Sequence, residues 1–446
     1  MARTAKKETV LTPEEKVAQA LVPEADQPYQ VPKNWCWLYG KSFLSPMETK
    51  RPTGDCFNYI DIDSIDNKRQ TVTAPKHIEV SQAPSRASRA LHSGDTVFSM
   101  VRPYLKNIAF IDESIASSIA STGFYVCKPK ENVAPKYLYF LMVSSYVVDG
   151  LNAYMKGDNS PSIRKEELEQ FPYPIPPLAE QQRIVDRIES LFAKLDEAKE
   201  KAQVVVDGFE DRKAAILHKA FTGELTREWS EQKGISESAW IERRFDEVAD
   251  VKSNLVEPAD YQDYPHIAPD NIEKKTGRLL EYRTIAEDKV KSGKHRFYAG
   301  QVLYSKIRPY LSKVVVVDFD GLCSADMYPI EPKEGVNTKY LWYYMLSDDF
   351  LLQASTAGSR SVLPKINQKE LSGLKVRITD EIEQERIVKI LDMLFEKEQQ
   401  SKETAEQVID QIDTMKKSIL ARAFRGELGT NDPADESAEE LLKRIL

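Results

Sequence analysis

Two stretches of this 446-residue chain are rich in arginine, tyrosine and lysine and share an Arg-Pro-Tyr followed by a lysine. SRASRALHSGDTVFSMVRPYLKN holds Arg86, Arg89, Arg102, Tyr104 and Lys106. SGKHRFYAGQVLYSKIRPYLSK holds Lys294, Arg296, Lys306, Arg308, Tyr310 and Lys313. In each, a Gly-Asp or Gly-Gln turn, a β run and then Arg-Pro-Tyr set an arginine at a strand end, where its guanidinium reaches outward. That planar fork matches two phosphate oxygens, or the O6/N7 edge of guanine. A surface turn with solvated charges is the plainer alternative, because arginine is mostly exposed anyway. A second pair of polar loops also recurs: Lys156-Gly157-Asp158-Asn159-Ser160 with Arg164, and Gly358-Ser359-Arg360-Ser361 with Lys365. Small residues there let backbone approach a phosphate closely. Asn159, Arg164, Ser359, Arg360 and Lys365 therefore join the candidates, and recurrence in both halves is what distinguishes them from chance.

Signatures of catalysis are missing. The chain has no Walker-type phosphate loop, no HExxH, no GxSxG, and no Asn/Asp-Pro-Pro-aromatic tetrapeptide of an amino-methyltransferase. Pro269-Asp270 with Glu273 and Lys274 looks like a nuclease cluster only superficially, its carboxylates lying too close in sequence. Four scattered cysteines (Cys36, Cys56, Cys127, Cys323) lack metal-ligand spacing and read as reduced thiols. No metal, cofactor or catalytic residue is expected in this chain. Neither a membrane-length apolar run nor a signal peptide appears, so a cytoplasmic protein is expected. Net charge is −8, but residues 1–175 carry +1 and residues 232–380 are neutral. The acid excess lies in residues 176–231, at −3, and 381–446, at −6. A local basic cleft on the neutral segments remains compatible with phosphate contact.

The elements that position these residues are written twice. At an offset of 203, Gln181-Gln182-Arg183-Ile184-Val185 faces Gln384-Glu385-Arg386-Ile387-Val388, and AFTGEL at 220–225 faces AFRGEL at 423–428. At an offset of 206, Gly94 through Leu105 faces Gly300 through Leu311. Trp35 and Trp240 enter the two halves alike. So many ordered matches are a duplication. Each half begins with a β-rich domain of mixed α/β type, with strands expected at Thr96–Met100, Phe124–Val126, Val302–Tyr304 and Val314–Val317. Each then continues into a proline-free helical pattern, entered in the first half through a rigid proline-rich linker, FPYPIPPLAEQQ.

In the first helix the seam runs Ile184, Ile188, Leu191, Leu195, Ala198, Ala202, Val205, Phe209, Arg212, Ile216, in steps of 4 and 3. The second helix repeats those steps through Ile387, Leu391, Leu394, Glu398, Ser401, Ala405, Val408, Ile412, Met415 and Ile419. This is a coiled-coil spacing, interrupted by the polar Arg212, Glu398 and Ser401. A helix of about 41 residues spans about 60 Å and cannot leave such a seam in water. The two helices are therefore expected to pair antiparallel, each closing on its Phe221 or Phe424 and a C-terminal glycine. The fold class is α+β with internal pseudo-twofold duplication. Thr12-Pro13-Glu14-Glu15 is a capping box that opens a short helix. The acidic tail beyond residue 428 reads as solvated.

PSRASRALHSGDTVFSMVRPYL, FPYPIPPLAEQQRIVDRIESLF, ILHKAFTGEL and SILARAFRGEL together resemble the specificity subunit of Type I restriction-modification systems. The resemblance spans about residues 31–428. It implies target-recognition domains at 29–177 and 232–378 and conserved helices at 178–225 and 381–428, which leave the N-terminal arm (1–28) and the tail (429–446) on either side. Each domain would read one half of a split, asymmetric double-stranded DNA target, while the helices set the spacing and dock two modification subunits. Methylation by those subunits, with S-adenosylmethionine, and cleavage by restriction subunits, with ATP and magnesium, would lie outside this chain. Two departures stand out: Lys375–Glu383 lacks the prolines of the first lead-in, and Asp326 replaces Gly123. A protein-binding coiled-coil scaffold, or an autonomous methyltransferase or nuclease, are the alternatives from other classes.

Overall fold

A computed structural model of the chain describes residues 12–73, 75–235, 239–358 and 364–445. Two units emerge that do not coincide with the sequence halves: Met1–Lys201 with Val408–Leu446, and Ala202–Gln407. Each unit is a domain, the start of the helix that follows it in sequence, and the end of the other long helix.

In the first unit, Cys36–Tyr39 and Pro172–Ile175 pair antiparallel and so bracket the domain, Cys36 facing Ile175 and Tyr39 facing Pro172. The proline-rich lead-in is thus a strand rather than a linker. Pro172 and Pro174 lie at alternate positions of this two-stranded ribbon, where the missing N–H groups can face away from the partner. Between the brackets, Thr96–Ser99 is the middle strand of three, flanked by Phe124–Cys127 and Ile108–Phe110. A four-stranded sheet orders Lys76–Glu79, Cys56–Ile60, Ile119–Ser121 and Ala87–Ala90, with the middle pair parallel. The second unit repeats the plan. Ile241–Arg244 pairs with Lys375–Ile378. Val302–Ser305 sits between Met327–Pro332 and Val314–Val316, and Pro265–Ile267 runs parallel to Gly321–Cys323. Paired helices, Pro135–Val143 with Ser145–Asn152 and Thr338–Met345 with Asp348–Ala357, complete the two domains.

The expected single helix of the first half is broken: Leu178–Asp207 ends at Gly208 and Phe209–Phe221 follows. Glycine is the poorest ordinary helix former, and a Cβ at Gly208 would lie 2.6 Å from the Arg212 guanidinium. That guanidinium donates to the Val205 carbonyl at 2.8 Å and from Nε to Glu398 at 2.7 Å. Two of the three polar interruptions of the seam are therefore partners of each other. The second helix, Glu381–Ala423, is unbroken over 43 residues, about 65 Å.

Within the first unit, Asp196 meets Lys416 at 2.5 Å and Lys199 meets Asp413 at 3.1 Å. Within the second, Phe209 lies under the Lys402 ammonium at 4.8 Å. Numbers rise on one helix as they fall on the other. The apolar stripe does not hold its heptad register: Val408 is 36% exposed and Met415 is exposed too, while Ala405, Ile412 and Leu420 are buried. A helix near 3.6 residues per turn drifts off a 3.5 repeat, by about 20° per heptad. Ile184, Ile188, Phe209, Phe221, Ile387, Leu391, Ile412 and Phe424 are buried, whereas Leu191, Leu195, Ile216, Leu394 and Ile419 are half-buried.

The helix ends explain the echo of AFTGEL and AFRGEL. Ile184, Ile188, Leu420, Ala423 and Phe424 lie in the core of the first domain with Tyr137 and Leu138. Leu217, Ala220, Phe221, Ile387 and Leu391 lie in the core of the second with Tyr340 and Leu341. Phe424 meets Tyr137 edge-on at 5.5 Å, and Phe221 meets Tyr340 at 5.3 Å. Each phrase thus closes its helix into the domain of the other half. A buried glutamate seals each joint. Glu180 accepts from Trp35 Nε1 at 2.9 Å and Asn431 Nδ2 at 2.7 Å, and Glu383 accepts from the Thr226 and Thr379 hydroxyls at 2.6 Å each and from that of Ser230 at 2.8 Å. The tail is not solvated, because Ala438 and Leu442 of the helix Ala438–Ile445 enter the first core beside Val17 and Ala20. Those last two belong to the capped helix Pro13–Ala20, whose Thr12–Glu15 box is formed.

Candidate nucleic-acid interface

Both Arg-Pro-Tyr segments fold into a 3-10 turn, Pro103–Leu105 and Pro309–Leu311, bracketed by left-handed residues that are not glycine. Arg102 has φ 47° and Lys106 has φ 56°; Arg308 has φ 48° and Ser312 has φ 45°. Such a conformation costs a non-glycine residue about 1–2 kcal/mol, and each of the two equivalent turns holds two such residues. The turns are over-determined by backbone hydrogen bonds: Arg102 N donates to Pro161 O at 2.8 Å and Arg308 N to Pro364 O at 2.7 Å. Proline at the next position presets φ for the turn and is buried in both cases. Tyr104 and Tyr310 are left projecting, 46% and 48% exposed.

In the first domain the structure brings Arg102 to the polar loop: its Nη2 donates to the Asn159 carbonyl at 2.8 Å. Arg86 is exposed, and Arg89, half-buried on Ala87–Ala90, leaves its Nε unpartnered among the described residues. Burial holds Lys106 below the usual lysine range. Arg164 has a local task, its backbone and Nε both bonded to Glu167 at the start of the helix Lys165–Gln170. Leu105, exposed in the same turn beside Tyr104, adds an apolar side chain that charge alone does not reveal.

In the second domain, Arg308 and Tyr310 occupy the equivalent rim. Lys313 does not: its ammonium donates to the Pro269 carbonyl at 2.6 Å within the domain. Arg296 stacks among Tyr298, Tyr261 and Tyr264 at 4.8, 5.4 and 5.9 Å. Lys294 is buried and donates to the Ser292 hydroxyl at 2.7 Å. Lys306 donates to the Ala325 carbonyl and lies 5.1 Å over the Tyr328 ring. Lys365 is exposed, 3.4 Å from Asp326. Ser359 and Arg360 lie outside the described residues. Among the described residues, no group of three or more His, Cys, Asp or Glu is placed to hold a metal ion, and no helix is long and apolar enough to cross a membrane.

The family model of the Type I restriction modification DNA specificity domain matches the chain twice, over residues 46–205 and 237–411. The EcoDI specificity subunit of Escherichia coli is 37% identical over 342 residues, covering 70% of this chain and 76% of its own. The HsdS subunit from Thermoanaerobacter tengcongensis shares the fold with a TM-score of 0.67 at 24% identity, over 91% of this chain and 100% of its own. A chain from a structural study of assembly and conformational transition in the type I R-M system matches with a TM-score of 0.69 at 25% identity, over 90% of this chain and 100% of its own. With two family-model matches that follow its own duplication, the chain belongs to the specificity subunits of Type I restriction-modification systems, which recognise DNA and leave catalysis to partner subunits.

Proposed function

We propose that each domain reads one half of a bipartite, asymmetric DNA target and that the two long helices, paired as an antiparallel coiled coil, set the distance between the readers. The carrying observation is the left-handed Arg-Pro-Tyr turn, built twice with the same backbone bonds and the same projecting tyrosine. An arginine held in a strained conformation beside an exposed aromatic suits phosphate and base-edge contact. The acid excess of the helical segments suits protein rather than phosphate, so the helices are the docking surface for two modification subunits. S-adenosylmethionine belongs to those subunits, and ATP and magnesium to restriction subunits.

The test is binding and methylation by the chain co-purified with its modification subunits. Binding should be sequence-specific and fall steeply with salt, as expected when phosphate contacts release counterions, and sequencing of methylated DNA should return a split target. Exchanging residues 236–377 for the second domain of another family member should change one half of that target only. A change in both halves refutes independent readers, and salt-insensitive or absent DNA binding refutes recognition.

A further inference from the structure

Three lysines of the second domain stand where the first domain has uncharged residues. The backbone makes the equivalence direct. Lys306 N donates to Asp326 O as Met100 N donates to Gly123 O, and Ile366 N donates to Lys306 O as Ile163 N does to Met100 O. Lys365 bridges to Ile307 as Ser162 bridges to Val101. His295 lies opposite Cys323 as Arg89 lies opposite Ala120, which sets Lys294 at the place of Ser88. Lys294, Lys306 and Lys365 therefore replace Ser88, Met100 and Ser162, around an Asp326 that replaces Gly123.

The cluster is recessed below the Arg308–Tyr310 rim in the burial of its members. Lys294 is 8% exposed and His295 only 3%, whereas Lys306 and Asp326 are half-buried and Lys365 is exposed at the mouth. His295 Nδ1 is buried with no hydrogen-bond partner among the described residues. The Lys306 ammonium holds one carbonyl, of the three acceptors an ammonium can take. Burial depresses both Lys294 and Lys306 below the usual lysine range, and Lys306 with it depresses His295. An ammonium short of acceptors in a partly dry recess is costly unless an acceptor arrives.

What the two domains hold in common, the Arg-Pro-Tyr rim, serves what the two half-sites have in common, the sugar-phosphate backbone. What differs at equivalent positions serves what differs between half-sites, the bases. We propose that Lys294, Lys306 and Lys365 form a base-reading recess specific to the second domain, donating to the acceptor-rich O6/N7 edge of guanine. This rests on the reading of the chain as a two-domain DNA reader.

The experiment grafts the first domain's residues into the complete complex: Lys294→Ser, Lys306→Met and Lys365→Ser, singly and together, with Lys306→Arg as the charge-keeping control. Specificity is read by sequencing methylated DNA and by competition binding with oligonucleotides that vary the second half-site. Discrimination at a G·C pair in that half should fall about tenfold or more per lost contact, with the other half unchanged. An unchanged target overturns the recess while leaving two-domain recognition standing. A loss equal across all sequences marks a phosphate contact and overturns the base assignment. A wild-type complex without a split target overturns the underlying reading instead. Should the triple variant fail to assemble, Lys306→Met decides alone, since methionine already occupies that position in the first domain.

Discussion

Gly426 gives the sharpest test of how the helix ends are joined to the domains. Its φ is +75°, and a Cβ there would lie 2.4 Å from Pro32 Cγ and 2.6 Å from Pro32 Cδ. Gly426→Ala therefore carries two costs. The left-handed backbone disfavours alanine by about 1–2 kcal/mol. Relieving an overlap against a stiff pyrrolidine ring adds about 1–3 kcal/mol. The sum is about 2–5 kcal/mol. Gly223 is the internal control, with φ +81° but only the edge of Trp240 nearby, at 3.3 Å. Gly223→Ala should cost the backbone term and little more, about 1–2 kcal/mol. Location separates the two as well. Gly426 follows the second domain in sequence yet packs on the first, so Gly426→Ala should loosen Pro135–Val143, and Gly223→Ala should loosen Thr338–Met345. Hydrogen exchange followed by mass spectrometry on the full chain reports each region separately, without assuming one cooperative transition. Equal effects of the two substitutions, or faster exchange in the second domain on Gly426→Ala, would refute the crossed joints.

The Arg212–Glu398 pair is part-buried within a mostly apolar seam. Arg212→Leu or Glu398→Leu alone should lower stability by about 1–3 kcal/mol, whereas the double substitution should recover most of it, because apolar replacement of a buried pair is often neutral or better; a double variant as weak as the worse single one would show that the bond to Val205 O dominates. Arg102→Ala and Arg308→Ala should each weaken DNA binding by about 1–3 kcal/mol, without loss of helicity by circular dichroism; unchanged affinity for both would return these turns to plain surface. His295, kept below the usual histidine range by burial and by Lys306, binds fewer protons folded than unfolded. The stability it supports is therefore present above the unfolded value of about 6.5 and falls as pH drops below it. His295→Gln should flatten that acid limb in a pH series of unfolding curves, and an identical slope would exclude His295 as its source.

Much of the architecture was legible because duplication writes the same constraint twice. The Arg-Pro-Tyr turns, the central strands Thr96–Ser99 and Val302–Ser305, and the capped helix Pro13–Ala20 follow from local signals: turn residues, β-branched runs and a capping box. Local signals misled where the deciding contact is remote. Pro172–Ile175 has the composition of a stiff linker, yet it is a strand because Cys36–Tyr39 lies alongside. The tail has the composition of a solvated segment, yet Asn431 and Asp435 bind Glu180 and Arg183, and Leu442 fills the first core. Arg212 and Glu398 look like separate defects in two seams until the helices are laid side by side. The recess of the second domain was half visible, as the substitution of Asp326 for Gly123. The lysines around it emerge only when backbone bonds fix the residue-by-residue equivalence.

Two like domains, two helical segments and two like helix ends are written locally in the chain, because local propensity and internal repetition need no knowledge of distant partners. Which end goes with which domain is settled by long-range contacts alone. AFTGEL and AFRGEL carry the same apolar phenylalanine and the same left-handed glycine, so nothing local distinguishes a helix that closes on its own half from one that closes on the other. That choice is made by burial of Phe221 against Tyr340 and Phe424 against Tyr137, contacts between residues remote in sequence, which a chain acquires only when it folds.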